Sequence, residues 1–141
     1  MKFPAEIIVS SEEETENLAG KIADELVPGN VIALYGNLGA GKTFLVKSIC
    51  KKWEIEGVTS PTFAIVNQYS GKFEISHFDF YRIKKVSELY DIGFDEYIIS
   101  ENSITFIEWA EMFPEVLPVH VIKITISYLE NSKRKISIEK R

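Results

Sequence analysis

The chain has 141 residues, 45% of them hydrophobic and 12% aromatic, which is enough for one compact domain with a core and too few for two ordinary ones. Sixteen Lys and Arg against 21 Asp and Glu leave a net charge of −5, which argues against an autonomous nucleic-acid binder, since such domains carry a basic surplus. A single cysteine, Cys50, excludes an internal disulfide and a cysteine-based metal site.

The opening stretch MKFPAEIIVSSEEE lacks the apolar segment of a signal peptide. No apolar run approaches the roughly 18 residues of a membrane span. The expectation is a soluble, cytoplasmic protein. Ala5 to Val9 reads as a short strand. Ser10 and Ser11 each suit a helix N-cap, with Glu13 or Glu14 three residues on to close a capping box. Leu18, Ala19, Ile22, Ala23 and Leu26 then form one apolar stripe at helical spacing, and Pro28-Gly29-Asn30 ends the helix.

The uninterrupted run VIALY predicts a strand covered on both faces, as in a parallel α/β sheet. It leads into Gly36-Asn37-Leu38-Gly39-Ala40-Gly41-Lys42-Thr43, a full match to the phosphate-loop pattern G-x-x-x-x-G-K-[ST]. After it, Val46, Ile49, Cys50 and Trp53 mark the buried stripe of a helix. Strand, loop and helix together are the setting in which glycines bring backbone N–H groups around an anion and the helix adds its positive end. Lys42 is expected at the β- and γ-phosphates. The Thr43 hydroxyl is expected on Mg²⁺, which prefers oxygen ligands. No Asn here is followed by Lys, so the guanine-reading Asn-Lys-x-Asp stretch is missing and the nucleotide leans to ATP.

Beyond Gly57, VTSPTFAIVNQYS, KFEISHFDFY, SITFIEW, HVIKITISYL and RKISIEK read as strands rich in β-branched and aromatic residues. A hairpin is expected near Ser70-Gly71. KVSELYDIGFDEYI reads as one short helix capped by Ser87. The α/β start and strand-rich remainder predict a single P-loop NTPase-like α/β domain over residues 1–141, its mixed central sheet flanked by helices.

Transfer or hydrolysis of a phosphoryl group also needs a metal-side carboxylate and a group that orients the attacking oxygen. Glu108 ends the apolar strand ITFIE, where ligands of open α/β sheets sit; an ordinary strand-end glutamate is the plain alternative. Asp79, between Phe78 and Phe80, points to the opposite face from both. It suits a water-orienting or coupling role, and equally a structural acid paired with Arg82. His77 reads more simply as a packed or surface histidine. Thr62, in the constrained turn Ser60-Pro61-Thr62, fits a γ-phosphate sensor or a residue that merely shapes the turn.

LYGNLGAGKT, SPTF, HFDFYR and IEW, in this order and spacing, resemble the TsaE family of bacterial ATPases in the tRNA threonylcarbamoyladenosine pathway, from about residue 10 to 130. The resemblance implies that Lys42 and Thr43 serve phosphates and Mg²⁺ and that Glu108 is the second metal-side ligand. It also implies that Asp79 is needed for hydrolysis, that Trp109 lies near the site in a mobile segment, and that Thr62 belongs to the first switch region. Glu111 and Lys133 fall where some members contact nucleotide. The partners it implies are TsaD and TsaB, with ATP hydrolysis supporting turnover of a complex that modifies adenosine 37 of tRNA. Any tRNA contact by this acidic chain is expected to be local, through Lys47, Lys51 and Lys52, which read equally as a solvated helix face. The three arginines, Arg82, Arg134 and Arg141, are few for fast phosphoryl transfer, so slow hydrolysis by the isolated chain is expected. Other classes remain at this stage: a small P-loop metabolite kinase, and a nucleotide-gated adaptor that does not hydrolyse.

Overall fold

Seven strands form one sheet in the order β1-β7-β6-β2-β5-β4-β3 in a computed structural model that describes residues 1–37, 39–61 and 64–141. The strands are β1 (Ala5–Val9), β2 (Val31–Tyr35), β3 (Val66–Ser70), β4 (Glu74–Asp79), β5 (Ser103–Glu108), β6 (Ile122–Tyr128) and β7 (Arg134–Lys140). The centre is parallel, with β2 between β5 and β6 and with β4 beside β5. Antiparallel pairs close both sides, β3 on β4 and β1-β7-β6. The sheet is therefore mixed, as the change of pattern along the chain predicts.

The parallel centre follows from burial on both faces. Val31, Ile32, Ala33 and Leu34 are all buried, with Ile32 and Leu34 in one core cluster and Val31 and Ala33 in the other. The first cluster holds the stripes of helices α1 (Glu12–Glu25) and α2 (Lys42–Lys51), which pack against each other. Ser11 caps α1, its side chain accepting from Glu14 N at 3.1 Å, and the Glu14 carboxylate accepts from Ser10 N. Such a cap is worth about 1 kcal/mol. The second cluster is aromatic. Phe78 meets Phe94 and Tyr97 edge-on at ring-centre distances of 5.0 and 5.1 Å, and Phe80 meets Phe113 at 6.1 Å.

Two expectations are corrected. The strand expected from Val58 begins only at Val66; residues 58–61 are irregular. Pro61 has no N–H for a ladder and pushes Ser60 out of helical conformations. Side chains tie this segment instead, with Tyr69 Oη accepting from Thr59 N and Asn67 Nδ2 donating to Thr59 O. The single helix expected over 85–98 is two short ones, α3 (Ser87–Asp91) and α4 (Phe94–Ile99). Gly93, at φ 76°, breaks it in a conformation that costs other residues about 1–2 kcal/mol. Ser87 is the first helical residue and caps nothing. Glu88 does that work from within, its carboxylate accepting from Lys84 N at 2.7 Å and Lys85 N at 2.9 Å.

Candidate functional site: a phosphate loop beside a buried carboxylate

The sheet register brings the site together. At the carboxyl ends of three parallel strands, Glu108 is the direct partner of Leu34 on one side and of Asp79 on the other. Partners in register share a face, so Glu108 and Asp79 both project toward α2 while Phe78, Phe80 and Ile107 fill the opposite aromatic cluster. His77, two residues before Asp79, shares that face by the same alternation.

The loop after β2 turns back over this end. Gly36 has φ 151°, and a Cβ there would stand 2.7 Å from Ile126 O, so no other residue fits. Gly41, at φ 107°, precedes α2 with no side-chain cap, which leaves the first N–H groups of α2 for an anion. Lys42 is buried. Its Nζ donates to Gly36 O and lies 3.6 Å from the centre of the Trp109 ring. Burial lowers its pKa, opposed by the carboxylates of Glu111, Glu108 and Asp79.

A chain of polar contacts crosses the floor. Thr43 Oγ1 lies 2.9 Å from both Glu108 oxygens, to which it donates, and 3.3 Å from Ser60 Oγ. Ser60 Oγ donates to Asp79 Oδ2 at 3.2 Å, and Tyr81 N donates to Asp79 Oδ1 at 2.9 Å. Behind Glu108, which is only 3% exposed, His77 Nε2 lies 2.6 Å from Oε2. Above this floor opens a cavity of about 500 Å³ lined by residues 39–44 of the loop and α2 and by Ser60, Asp79, Arg82, Glu108 and Trp109. Trp109 leaves β5 in a left-handed conformation, φ 58° and ψ 39°, which holds its ring over Lys42 and against Tyr81, 4.7 Å between ring centres.

A smaller cleft, about 140 Å³, opens on the other side of Gly41 between Glu12, Thr15, Phe44 and Arg134. Arg134 donates to Tyr128 Oη at 3.1 Å, while its buried Nε has no acceptor among the described residues.

The structure thus gathers Gly36, Gly39, Ala40, Gly41, Lys42, Thr43, Asp79, Glu108 and Trp109 at one end of the sheet. Glu111 is exposed in the 3₁₀ turn Ala110–Met112 and lines a separate cleft with Tyr35, Lys123 and Arg141. Lys133 is exposed in the β6–β7 turn, one residue before the Arg134 that faces Gly41. Leu38 and Thr62 lie outside the described residues. Sequence reasoning missed Arg134, the bridging contacts of Ser60 and the contact of His77 with Glu108. For His77 a signal existed in its even spacing from Asp79.

The oxygens of Thr43 and Glu108 form a hard donor pair suited to Mg²⁺, which takes one or two protein ligands and completes its shell with phosphate oxygens and water. The glycine cradle and Lys42 suit phosphates. A family model described as threonylcarbamoyl adenosine biosynthesis protein TsaE matches residues 9–136. The chain belongs to the TsaE family. Curated TsaE relatives agree along most of its length. The Rickettsia conorii protein is 38% identical over 92% of this chain and 75% of its own. TsaE of Aquifex aeolicus is 37% identical with both chains fully covered, and that of Bacillus subtilis is 37% identical over 89% of this chain and 78% of its own. The crystal structure of Bacillus subtilis YdiB superposes with a TM-score of 0.79 at 29% identity, covering 98% of this chain and 86% of that one. TsaE family membership ties the chain to threonylcarbamoyladenosine biosynthesis and accounts for the mixed seven-stranded sheet. Among the described residues no helix is long and apolar enough to cross a membrane.

Proposed function

We infer that this chain is a cytoplasmic, Mg²⁺-dependent ATPase subunit of tRNA threonylcarbamoyladenosine formation. In this reading it works with TsaD and TsaB, and its hydrolysis of ATP supports repeated turnover of their complex. The observation that carries the ATPase reading is the contact of Thr43 Oγ1 with buried Glu108, directly behind the glycine loop and Lys42. A loop that only gripped an anion has no need of a buried carboxylate against its hydroxyl.

Each residue has a role in that reading. The loop N–H groups and Lys42 hold the phosphates, with Lys42 exchanging its Gly36 and Trp109 contacts for phosphate oxygens. Thr43 and Glu108 hold Mg²⁺, which supplies charge neutralisation on the phosphates when bound. Asp79, half-buried and held by Ser60 Oγ and Tyr81 N, orients the attacking water. Thr62, which lies outside the described residues, is taken as the γ-phosphate sensor. The cleft at Arg134 gives the nucleoside a place beside Gly41, with Lys133 as an outlying contact; Glu111, in the separate cleft of Tyr35, is carried as a nucleotide contact by the family resemblance alone. The exposed Tyr81 and the adjoining Trp109 ring offer the rim to a partner.

Calorimetry with a non-hydrolysable ATP analogue, with and without Mg²⁺, paired with phosphate release from ATP, tests the assignment. The reading expects Mg²⁺-dependent binding and ADP formed without any acceptor. ADP formed only alongside a phosphorylated small molecule would make the chain a metabolite kinase. Binding with no phosphate released, with TsaD and TsaB present, would make it an adaptor.

A further inference from the structure

His77 lies outside the cavity, fully buried in β4. Its neighbour in β5 is Phe106, two residues before Glu108, and its ring reaches diagonally so that Nε2 lies 2.6 Å from Glu108 Oε2. An ionised carboxylate can only accept, so Nε2 carries the proton. Nδ1 has no partner among the described residues. In the neutral imidazole it is a bare lone pair, a smaller burden in a dry core than an unpaired charged N–H.

Glu108 needs that donor. A buried carboxylate is costly unless hydrogen bonds satisfy it. Thr43 brings one proton for two oxygens, although it lies 2.9 Å from each. A metal takes a lone pair of the Thr43 oxygen and leaves its single O–H, which can satisfy only one carboxylate oxygen. His77 then remains on Oε2, and Oε1 is the oxygen the imidazole leaves open toward the cavity.

We propose that His77 is a positioning residue for the metal site, its Nε2–H fixing the rotation of the Glu108 carboxylate so that one oxygen is presented toward the metal. This rests on the reading of Glu108 as a metal-side ligand. Partners that orient metal-binding side chains are typically worth about 10- to 100-fold in metal affinity.

The test measures Mn²⁺ affinity by electron paramagnetic resonance in the presence of a non-hydrolysable ATP analogue, alongside analogue binding in EDTA. His77→Phe keeps the ring and removes the donor; it is expected to weaken Mn²⁺ binding about tenfold or more with little change in EDTA. His77→Gln carries an N–H as many bonds from Cβ as Nε2 and is expected to return to within about threefold of the unsubstituted chain. His77→Asn places its amide at the Nδ1 position and should not rescue. Should His77→Phe fail to fold, the Gln and Asn pair decides alone: Gln tighter than Asn supports the proposal, and equal affinities overturn it. Mn²⁺ affinity unchanged in His77→Phe also overturns it. A Glu108→Gln control separates the two readings. If that variant binds Mn²⁺ like the unsubstituted chain, the metal reading of Glu108 fails and the proposal fails with it. If it loses Mn²⁺ while His77→Phe does not, only the positioning role is lost.

Discussion

Single side chains at the mouth of the site carry opposed demands. Lys42 is 5% exposed, and burial outweighs its acidic neighbours to lower its pKa. A lysine whose folded pKa lies below the unfolded 10.5 penalises folding in full below that folded pKa, neutral pH included; the penalty fades as pH climbs from the folded to the unfolded value and is gone above it. Lys42→Met, which keeps the stem and removes the charge, is therefore expected to raise the melting temperature at pH 7, with the gain shrinking as pH approaches 10.5. The same variant should lose analogue binding in calorimetry. Asp79 makes the opposite case. It is half-buried and held at both oxygens, and its proposed work is on water. Asp79→Ala should bind analogue within a few-fold of the unsubstituted chain and lose phosphate release by about 10²-fold or more, the scale of a lost general base. Normal release would make Asp79 structural. Cys50 stands apart from this chemistry, since burial pushes its thiol up to about 12, where it is no nucleophile at neutral pH.

At the scale of elements, what the sequence predicts well is what local pattern decides. The stripe of Leu18, Ile22 and Leu26, the Ser11 cap and the doubly covered β2 all stand where period and capping chemistry put them. The errors fall where a single residue outranks the pattern. Gly93 splits α3 from α4, and Pro61 holds residues 58–61 out of the sheet. Gly93→Ala tests the first of these. A Cβ there meets only ordinary contacts, the nearest 3.6 Å away at Glu96 Oε2, so its cost is the left-handed backbone, about 1 kcal/mol or slightly more. Thermal unfolding should shift down by roughly 3–5 °C with analogue affinity unchanged. An unchanged melting temperature would mean that the left-handed backbone at Gly93 costs alanine nothing. The site divides in the same way. Thr43 and Glu108 are legible because a motif and a strand end announce them. The His77 contact needs the parallel pairing of β4 with β5, and the place of Arg134 beside Gly41 needs β7 to return next to β6. No local pattern contains either pairing.

The whole molecule is a parallel centre closed by antiparallel strands on both sides, with its polar side chains gathered at one end of the sheet. Arg82 is the one arginine lining the cavity above Thr43 and Glu108 among the described residues; Arg134 lies across Gly41 and Arg141 in the cleft of Tyr35. An arginine supplied in trans contributes roughly 10³–10⁵ in rate in P-loop enzymes, and in the proposed reading a partner would supply such a cation at the rim of exposed Tyr81 and adjoining Trp109. Partner-dependent ATP hydrolysis is thus the central claim, and steady-state phosphate release with Mg²⁺, from the chain alone and with TsaD and TsaB added, tests it most directly. The account predicts slow release by the chain alone, at least tenfold faster in the complex and abolished in both by Lys42→Met; brisk release by the chain alone, unchanged by the partners, would contradict it.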